Sequence, residues 1–379
     1  MDKSDFKKKN IVFNKSLFVL LLPVLVALGK LVRYTILKKV LVDQGIGHNW
    51  IGTIVNGGGS FSFIDTDGAI DAGGNSVFWY RVFNIFHLST YGQFEVAITI
   101  IFNIILLLLL IKVVRYLTFN QMIFIAVSIA VLNIFDFTLA KEPVQMVYFI
   151  FIFAIILRQT SFNAKMVEVV LLLLLTAITF RSYYVLVAFF FVCIALLFRF
   201  MIIKSNKYFW LRVILVILIM GLIYYIFLKV CNHISRDTYE ELIRVRTRVS
   251  DAATDMRNIF KATSLEIFTV DYMIMVVRML FPVELLKMGV KYFPYVGYQI
   301  MLTLYIINAI KNVKINGNTK NIALYLYIGF LFASAAFEPD FGSWIRHEAV
   351  LFPLYLIIIN SINIKDKVIK KKKIRIILK

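Results

Sequence analysis

Cysteine is scarce in this sequence, which has Cys193 and Cys231 as its two thiols among 379 residues. Two cysteines provide neither a disulfide framework nor the ligand set of a thiolate metal cluster. Cys193 lies inside an apolar run, where packing is its expected role. The cysteine content therefore favours neither a disulfide-rich scaffold nor a cysteine-based metal cluster.

Acidic residues are also few, at 22 Asp and Glu against 42 Lys and Arg, for a net charge of +20. In a soluble protein such an excess would indicate binding to nucleic acid. This chain, however, lacks a polar stretch long enough for a soluble domain, because 60% of its residues are hydrophobic. Its mean hydropathy is +0.82. We therefore interpret the basic residues as topological signals in a membrane protein and expect no nucleic-acid partner.

Long apolar runs recur along almost the whole chain, and several approach the length needed to cross a hydrocarbon core of about 30 Å. No internal repeat accompanies them, so a repeat-built transporter gains no support. We predict an all-α, polytopic integral membrane protein, a single membrane domain 1–379 with about 10–11 transmembrane helices. The helices are predicted at roughly 16–37, 94–111, 118–138, 143–157, 166–180, 183–203, 212–230, 293–310, 321–337 and 348–363.

The distribution of Lys and Arg predicts the orientation of the chain. Basic residues concentrate in alternate connections, which places those connections and both termini in the cytoplasm. The first helix has no convincing small-residue cleavage site and is predicted to stay uncleaved. The protein is thus expected to be a multi-pass protein of the cytoplasmic membrane. Three regions then lie outside, at 38–92, 231–291 and 338–347, whereas 364–379 forms a basic cytoplasmic tail.

The large outer loop 231–291 contains two unusual segments. Residues 236–261 have apolar positions at heptad spacing and are predicted to form an amphipathic helix. Arg244 and Arg248 share one face of it and could bind phosphate or carboxylate, although Arg244 could equally pair with an acidic neighbour. Segment 264–291 has the length of a short span but carries charges and a proline. We interpret it as interfacial or re-entrant, or as one member of a pair of spans.

The first outer loop contains Asp65 and Asp67, which follow a run of three glycines. Alternating aspartates can hold a divalent cation. The spacing does not match a calcium-binding EF-hand loop, and Asp-Gly pairs also mark plain turns. We therefore predict neither a metal site nor a cofactor, and keep Asp65 and Asp67 as the candidates if a metal is bound.

Charged residues near the outer ends of three different helices are the candidates for chemistry. The connection 338–347 provides a carboxylate, a fixed cation and a titratable imidazole between two apolar helices, where charges are costly and usually functional. Two short turns add further charges, which could converge with the first set on one outward-facing cavity or could simply lie at the membrane surface. The residues are Asp340, Arg346 and His347 in the late connection, and Lys141, Glu142 and Arg181 in the turns.

Together these motifs resemble those of the bacterial polysaccharide polymerases, the Wzy-type enzymes of capsule and O-antigen pathways. The resemblance rests on Lys141-Glu-Pro143, Phe180-Arg-Ser-Tyr-Tyr184, an Arg-rich outer loop, and the late run Glu338-Pro-Asp-Phe-Gly-Ser-Trp-Ile-Arg-His347. One Arg-rich outer loop is present where that family usually has two. Membrane glycosyltransferases that use polyprenyl-phosphate sugars, with the glycosyltransferase-C architecture, share the same general plan.

The resemblance implies transfer of a glycan from undecaprenyl diphosphate to the sugar end of another lipid-linked repeat unit. It implies Asp340, His347 or Glu142 as the base, and arginines that stabilise the departing diphosphate. The substrate-binding candidates are Arg346, Arg181, Arg244, Arg248 and Lys141. Expected partners are the lipid-linked oligosaccharide, membrane lipid and other polysaccharide-assembly proteins.

Three alternatives remain open at the level of sequence, and the third is a purely structural membrane subunit. The first is a glycosyltransferase that uses a polyprenyl-phosphate sugar, with Asp65 or Asp67 as its base. The second is a flippase or transporter of lipid-linked oligosaccharide, which is not an enzyme. A flippase should carry charges deep along several helices. Here polar residues cluster at helix ends, with Asn103, Asn133 and Asp136 as exceptions.

Overall fold

The computed structural model describes residues 3–43, 47–57, 72–113, 117–200, 209–247, 254–260, 264–311, 313, 320–338 and 340–359. These residues form helices joined by short connections and contain no β-strand, so the all-α prediction is confirmed. The α-helices are α1 Lys3–Thr35, α2 Gly47–Val55, α3 Ala72–Val82, α4 Tyr91–Val113, α5 Phe119–Phe135, α6 Lys141–Leu157, α7 Phe162–Thr179, α8 Tyr184–Phe200, α9 Phe209–Ile234, α10 Arg236–Thr247, α11 Leu265–Leu280, α12 Phe293–Lys311, α13 Lys320–Ser334, α14 Phe341–Ala349 and α15 Phe352–Ile359.

Four helical segments of the described chain are long and apolar enough to cross a membrane. They are α4, α7, α9 and the segment Val290–Lys311, which contains α12. The bent pair α14 and α15 would make a fifth if it forms one span. Many of their large apolar side chains are exposed, as expected for surfaces that face lipid.

Two of the apolar helices begin at polar caps that the sequence also specifies. Thr118 caps α5 in a reciprocal capping box with Gln121. The Ser161 hydroxyl accepts a hydrogen bond from the Ala164 amide at the start of α7. Because the first turn of a helix leaves amide groups without helical partners, these side chains define where the two helices start.

The prediction of one continuous helix at 348–363 is wrong at its start, because the structure has a break between two helices there. α14 ends at Ala349, and α15 begins at Phe352 with its axis bent by 67°. Pro353 explains the break, since its ring would clash with the carbonyl of Ala349 and it has no amide to donate. Arg346 and His347 therefore lie in the last turn of α14 and not at the start of a long apolar helix.

The predicted amphipathic helix 236–261 is also wrong in its second part. α10 covers Arg236–Thr247, whereas the described segment 254–260 is not helical. The Asp271 carboxylate instead holds this segment, because Oδ1 accepts hydrogen bonds from the amides of Ile259 at 3.0 Å and Phe260 at 3.2 Å. A buried carboxylate with two amide donors competes effectively with a further turn of helix.

Asp271 lies in α11, the helical part of the predicted interfacial or re-entrant segment 264–291. α11 has 16 residues, a length of about 24 Å at the rise of a helix. Short 3₁₀ helices at Val283–Met288 and Val290–Tyr292 follow it. Arg278 in its last turn donates to the Glu284 carboxylate, with Nε 2.9 Å from Oε2. Two charged residues of this segment, Asp271 and Arg278, thus have structural partners. The path of the segment relative to the membrane stays a prediction.

The chain divides into two compact units, Met1–Ser182 with Arg346–Lys379 and Tyr183–Ile345. In the first unit α1 packs closely on α5, because a Cβ at Gly29 would lie 2.8 Å from the Asn133 Cβ. Asn133 and Asn103 exchange side-chain hydrogen bonds of 2.9 and 3.1 Å between α5 and α4. Two of the polar residues inside apolar helices therefore satisfy each other and join helices.

In the second unit, aromatic side chains and small residues hold the helices together. The rings of Tyr224 in α9 and Tyr272 in α11 stack with centroids 3.9 Å apart. The α8–α13 contact is close at Gly329, where a Cβ would lie 2.7 Å from the Phe191 amide nitrogen. Glycine at this position lets two backbones approach in the manner of small-residue contacts between membrane helices.

We expect Gly329→Ala to destabilise the second unit by about 1–3 kcal/mol, because the added methyl group collides with backbone and not with a movable side chain. The matched control is Gly297→Ala in α12, where a Cβ meets nothing within 4 Å. Thermal unfolding of the detergent-purified variants measures the difference. Equal midpoints for the two variants would contradict this account of the contact.

Candidate functional site

Three of the predicted site residues come together in the first unit. His347 Nε2 in α14 lies 3.4 Å from Arg181 Nη1, which follows α7. The same nitrogen lies 3.8 Å from Glu142 Oε1 at the start of α6. Glu142 and His347 are buried, whereas Arg181 is half-buried. Residues separated by as many as 205 positions therefore meet around one imidazole nitrogen.

The two neighbours of His347 Nε2 favour different protonation states. Arg181 can only donate, so a hydrogen bond between them requires an unprotonated Nε2. A protonated Nε2 instead carries a charge that the Glu142 carboxylate stabilises across 3.8 Å. This imidazole can therefore accept a proton and has a carboxylate beside it for the resulting cation.

Basic side chains act electrostatically on Glu142. Arg346, Lys141 and His347 each act electrostatically on its carboxylate, and Arg346 acts on Asp136 as well. Arg346 and Lys141 are only half-buried, so their charges remain within reach of a substrate. Positive charge concentrated beside buried carboxylates suits an anion such as a phosphate group at the exposed side.

Local sequence explains how Glu142 reaches this position. Glu142 occupies the first turn of α6, where the helix dipole favours a negative charge. Pro143 follows, and the first turn tolerates proline because its amides have no helical acceptor. On the other side, α7 ends where the amides of Phe180 and Arg181 both donate to the Thr176 carbonyl. The chain turns there, so Arg181 lies just beyond the end of the helix.

A buried ionic cluster at the ends of α1 and α4 was missed by the sequence analysis. Lys30 Nζ lies 2.7 Å and Arg33 Nε 3.2 Å from Glu95 Oε1, and Tyr34 donates to Glu95 Oε2 at 2.5 Å. Arg33 and Glu95 are 2% and 3% exposed, which leaves little room for compensation by water. Charges inside apolar runs were the signal that could have identified this cluster.

This ionic cluster also holds the connection between α5 and α6. Lys30 Nζ donates to the Phe137 carbonyl at 2.7 Å. Arg33 donates to the Ile134 carbonyl at 2.8 Å and to Thr138 Oγ1 at 3.2 Å. Because Asp136 lies between these anchored residues, the cluster fixes the chain that leads to Glu142.

Asp340 belongs to the other unit, where its contacts are structural. Its Oδ1 accepts a hydrogen bond from the Ser343 amide at 2.8 Å, which caps the start of α14. Its backbone pairs with Asp255 in an isolated β-bridge, and Thr254 Oγ1 lies 3.5 Å from Oδ1. These contacts account for a carboxylate at this position without catalysis, and its role as a base stays a prediction.

The remaining predicted residues contribute less to the site. Arg244 lies exposed on α10 in the second unit. Arg248, Asp65 and Asp67 lie outside the described residues. Among the residues that are described, no group of three or more His, Cys, Asp or Glu side chains could hold a metal ion.

The helical architecture and the four or five membrane-crossing candidates among the described residues indicate the class, a helical membrane protein. Comparisons with protein-family models, curated proteins and solved structures give no match. The function is therefore argued from the chemistry of the residues around His347.

Proposed function

We propose that this protein polymerises lipid-linked oligosaccharide repeat units into a surface polysaccharide, such as a capsule or O-antigen, at the outer face of the bacterial cytoplasmic membrane. The observation that carries the proposal is the meeting of Glu142, Arg181 and His347 beside Arg346. A base with a carboxylate partner, next to several cations, suits transfer of a sugar from a diphosphate carrier. The reaction needs no cofactor.

In the proposed reaction His347 Nε2 takes the proton of an acceptor hydroxyl on one repeat unit. The hydroxyl oxygen attacks the anomeric carbon of the second repeat unit, and the bond from that carbon to the diphosphate oxygen breaks. The electron pair leaves with undecaprenyl diphosphate. Glu142 stabilises the imidazolium formed, while Arg346, Arg181 and Lys141 stabilise the departing diphosphate.

The proposed architecture has ten crossings with both termini in the cytoplasm, in the general plan of glycosyltransferase-C enzymes. Five of the crossings are the four long candidates and the bent pair of α14 and α15. The other five are α1, α6 and the three shorter apolar helices, α5, α8 and α13. A helix of 17 residues, such as α5, is at the lower end of the range of about 17–25 for a span. The positive-inside distribution supports this orientation.

We expect cysteines at Ser343 and Thr319 to be labelled from opposite sides of the membrane, with Ser343 accessible from outside. The reason is the excess of basic residues in the connection that contains Thr319. The measurement uses a membrane-impermeant maleimide on intact cells, in a chain whose Cys193 and Cys231 have been replaced by serine. Labelling of Thr319 without Ser343 would reverse the orientation of the last helices.

We expect deletion of the gene to cause accumulation of single lipid-linked repeat units and loss of long surface polysaccharide. Electrophoretic sizing of both glycan pools measures this, with complementation by the intact gene as the control. Repeat units lacking a sugar would instead identify a glycosyltransferase. Complete units trapped at the cytoplasmic face would identify a flippase, and either result would overturn the polymerase proposal.

A further inference from the structure

Three buried side chains at and near the start of α6 have polar atoms without hydrogen-bond partners. Both carboxylate oxygens of Asp136, Oε1 of Glu142, and the oxygen and nitrogen of the Gln145 amide have none among the described residues. Asp136 and Gln145 are 0% exposed, and Glu142 is 1% exposed. Removing such groups from water without replacing their hydrogen bonds is costly, most of all for carboxylates.

These three side chains form one neighbourhood in the first unit. Asp136 and Glu142 act on each other electrostatically across the connection from α5 to α6. Gln145 follows Glu142 by three positions in α6, so the two side chains share a helix face. Lys30 and Arg33 donate hydrogen bonds to backbone carbonyls at this connection and hold it in place.

The missing hydrogen bonds define the chemistry of a ligand. Four of these five atoms without a hydrogen bond are oxygens that accept, and the fifth is an amide nitrogen that donates. Carboxylates repel phosphate and attract hydroxyl groups, and an amide both donates to and accepts from hydroxyls. The half-buried cations Arg346 and Lys141 have the opposite preference and suit the diphosphate.

We propose that Asp136, Glu142 and Gln145 form a hydroxyl-binding subsite for a sugar of the lipid-linked glycan. The inference rests on the proposed function and adds to it which residues bind the sugar and which bind the diphosphate. The three acceptor-rich side chains recognise sugar hydroxyls, and the neighbouring cations take the diphosphate. The hydroxyl groups of a sugar can donate hydrogen bonds to the Asp136 carboxylate, which the diphosphate group of the carrier cannot do.

The test compares the affinities of two lipids for the full chain in nanodiscs. One probe is the lipid-linked repeat unit extracted from the deletion strain, and the other is undecaprenyl diphosphate. Gln145→Leu has nearly the same volume and removes both polar atoms. Gln121→Leu is the matched control, because Gln121 is also a buried amide of the first unit but donates to the Ile359 carbonyl.

We expect Gln145→Leu to weaken binding of the repeat-unit lipid about tenfold and leave binding of undecaprenyl diphosphate unchanged. Its unfolding midpoint without ligand should stay equal or rise, because an unpartnered buried amide has been removed. Gln121→Leu should lower the midpoint and leave the ratio of the two affinities as in the wild type. This pattern separates recognition of the ligand from stability of the fold.

Three outcomes would overturn the subsite. Equal loss of affinity for both lipids would assign Gln145 to the fold or to the diphosphate. No loss for either would show that water alone satisfies these groups. Wild-type protein that binds neither lipid would overturn the subsite and the proposed function together, and is thereby distinguishable from failure of the subsite alone.

Discussion

Arg346→Lys in the deletion strain should reduce polymer formation by about 100- to 1000-fold at normal protein levels, as expected when a donor to a developing anion is lost. Lysine keeps the positive charge but lacks the planar guanidinium that binds two phosphate oxygens in parallel. Arg346→Ala should be at least as severe, because it also removes the charge that acts on Glu142 and Asp136. Polysaccharide sizing, normalised to immunoblotted protein, measures the effect.

The matched control is Arg158→Lys. Arg158 is another arginine of the first unit, but its side chain is 58% exposed and pairs with Glu168 at 2.9 Å. We expect full-length polymer from this variant, since an exposed pair contributes little to stability. Full-length polymer from both Arg346→Lys and Arg346→Ala would remove Arg346 from the site and favour an ordinary interfacial turn.

Glu95→Leu should destabilise the first unit by about 3–5 kcal/mol, the cost of leaving buried charges without their partner. Glu95 is the carboxylate that lies 2.7 Å from Lys30 and 3.2 Å from Arg33. Both cations also hold the connection from α5 to α6, so polymer formation should fall with stability. Thermal unfolding in detergent measures the first effect and polysaccharide sizing the second.

Glu168→Leu is the control for Glu95→Leu, because it breaks an ion pair of similar length in an exposed position. Its expected cost is about 0–1 kcal/mol. The double variant Glu95→Leu with Lys30→Met should recover part of the loss, since it removes one of the two uncompensated cations. Equal midpoints for Glu95→Leu and Glu168→Leu would show that the cluster does not stabilise the fold.

The membrane helices were predictable because their signal is local. The run predicted at 94–111 corresponds to α4 Tyr91–Val113, and the run at 212–230 to α9 Phe209–Ile234. A span needs only enough consecutive apolar residues, and neighbouring segments do not alter that requirement. The signal for the helix break, Pro353, is equally local, yet the prediction followed the apolar run and gave no break there.

The contacts of individual charges were much less predictable. The sequence prediction assigned Asp340 and Arg346 to one site because they are close in sequence. Asp340 instead caps the start of α14, the part of that helix that belongs to the second unit. Asp271 interrupted an apolar segment, and its acceptance of two amides from 254–260 could not be read from neighbouring residues. Glu95 lay within a predicted span, and its partners came from α1.

The sequence by itself determined that this chain is helical, apolar and basic, and it identified Glu142, Arg181 and His347 as charged or titratable residues at helix ends. Only the tertiary structure decided that these three meet at one imidazole nitrogen, and that Asp136 and Gln145 are buried without hydrogen-bond partners among the described residues. The physical reason is the range of the interactions. Helix formation and membrane partitioning depend on consecutive residues, whereas a hydrogen bond or an ion pair acts over a few ångströms between segments that packing alone brings together.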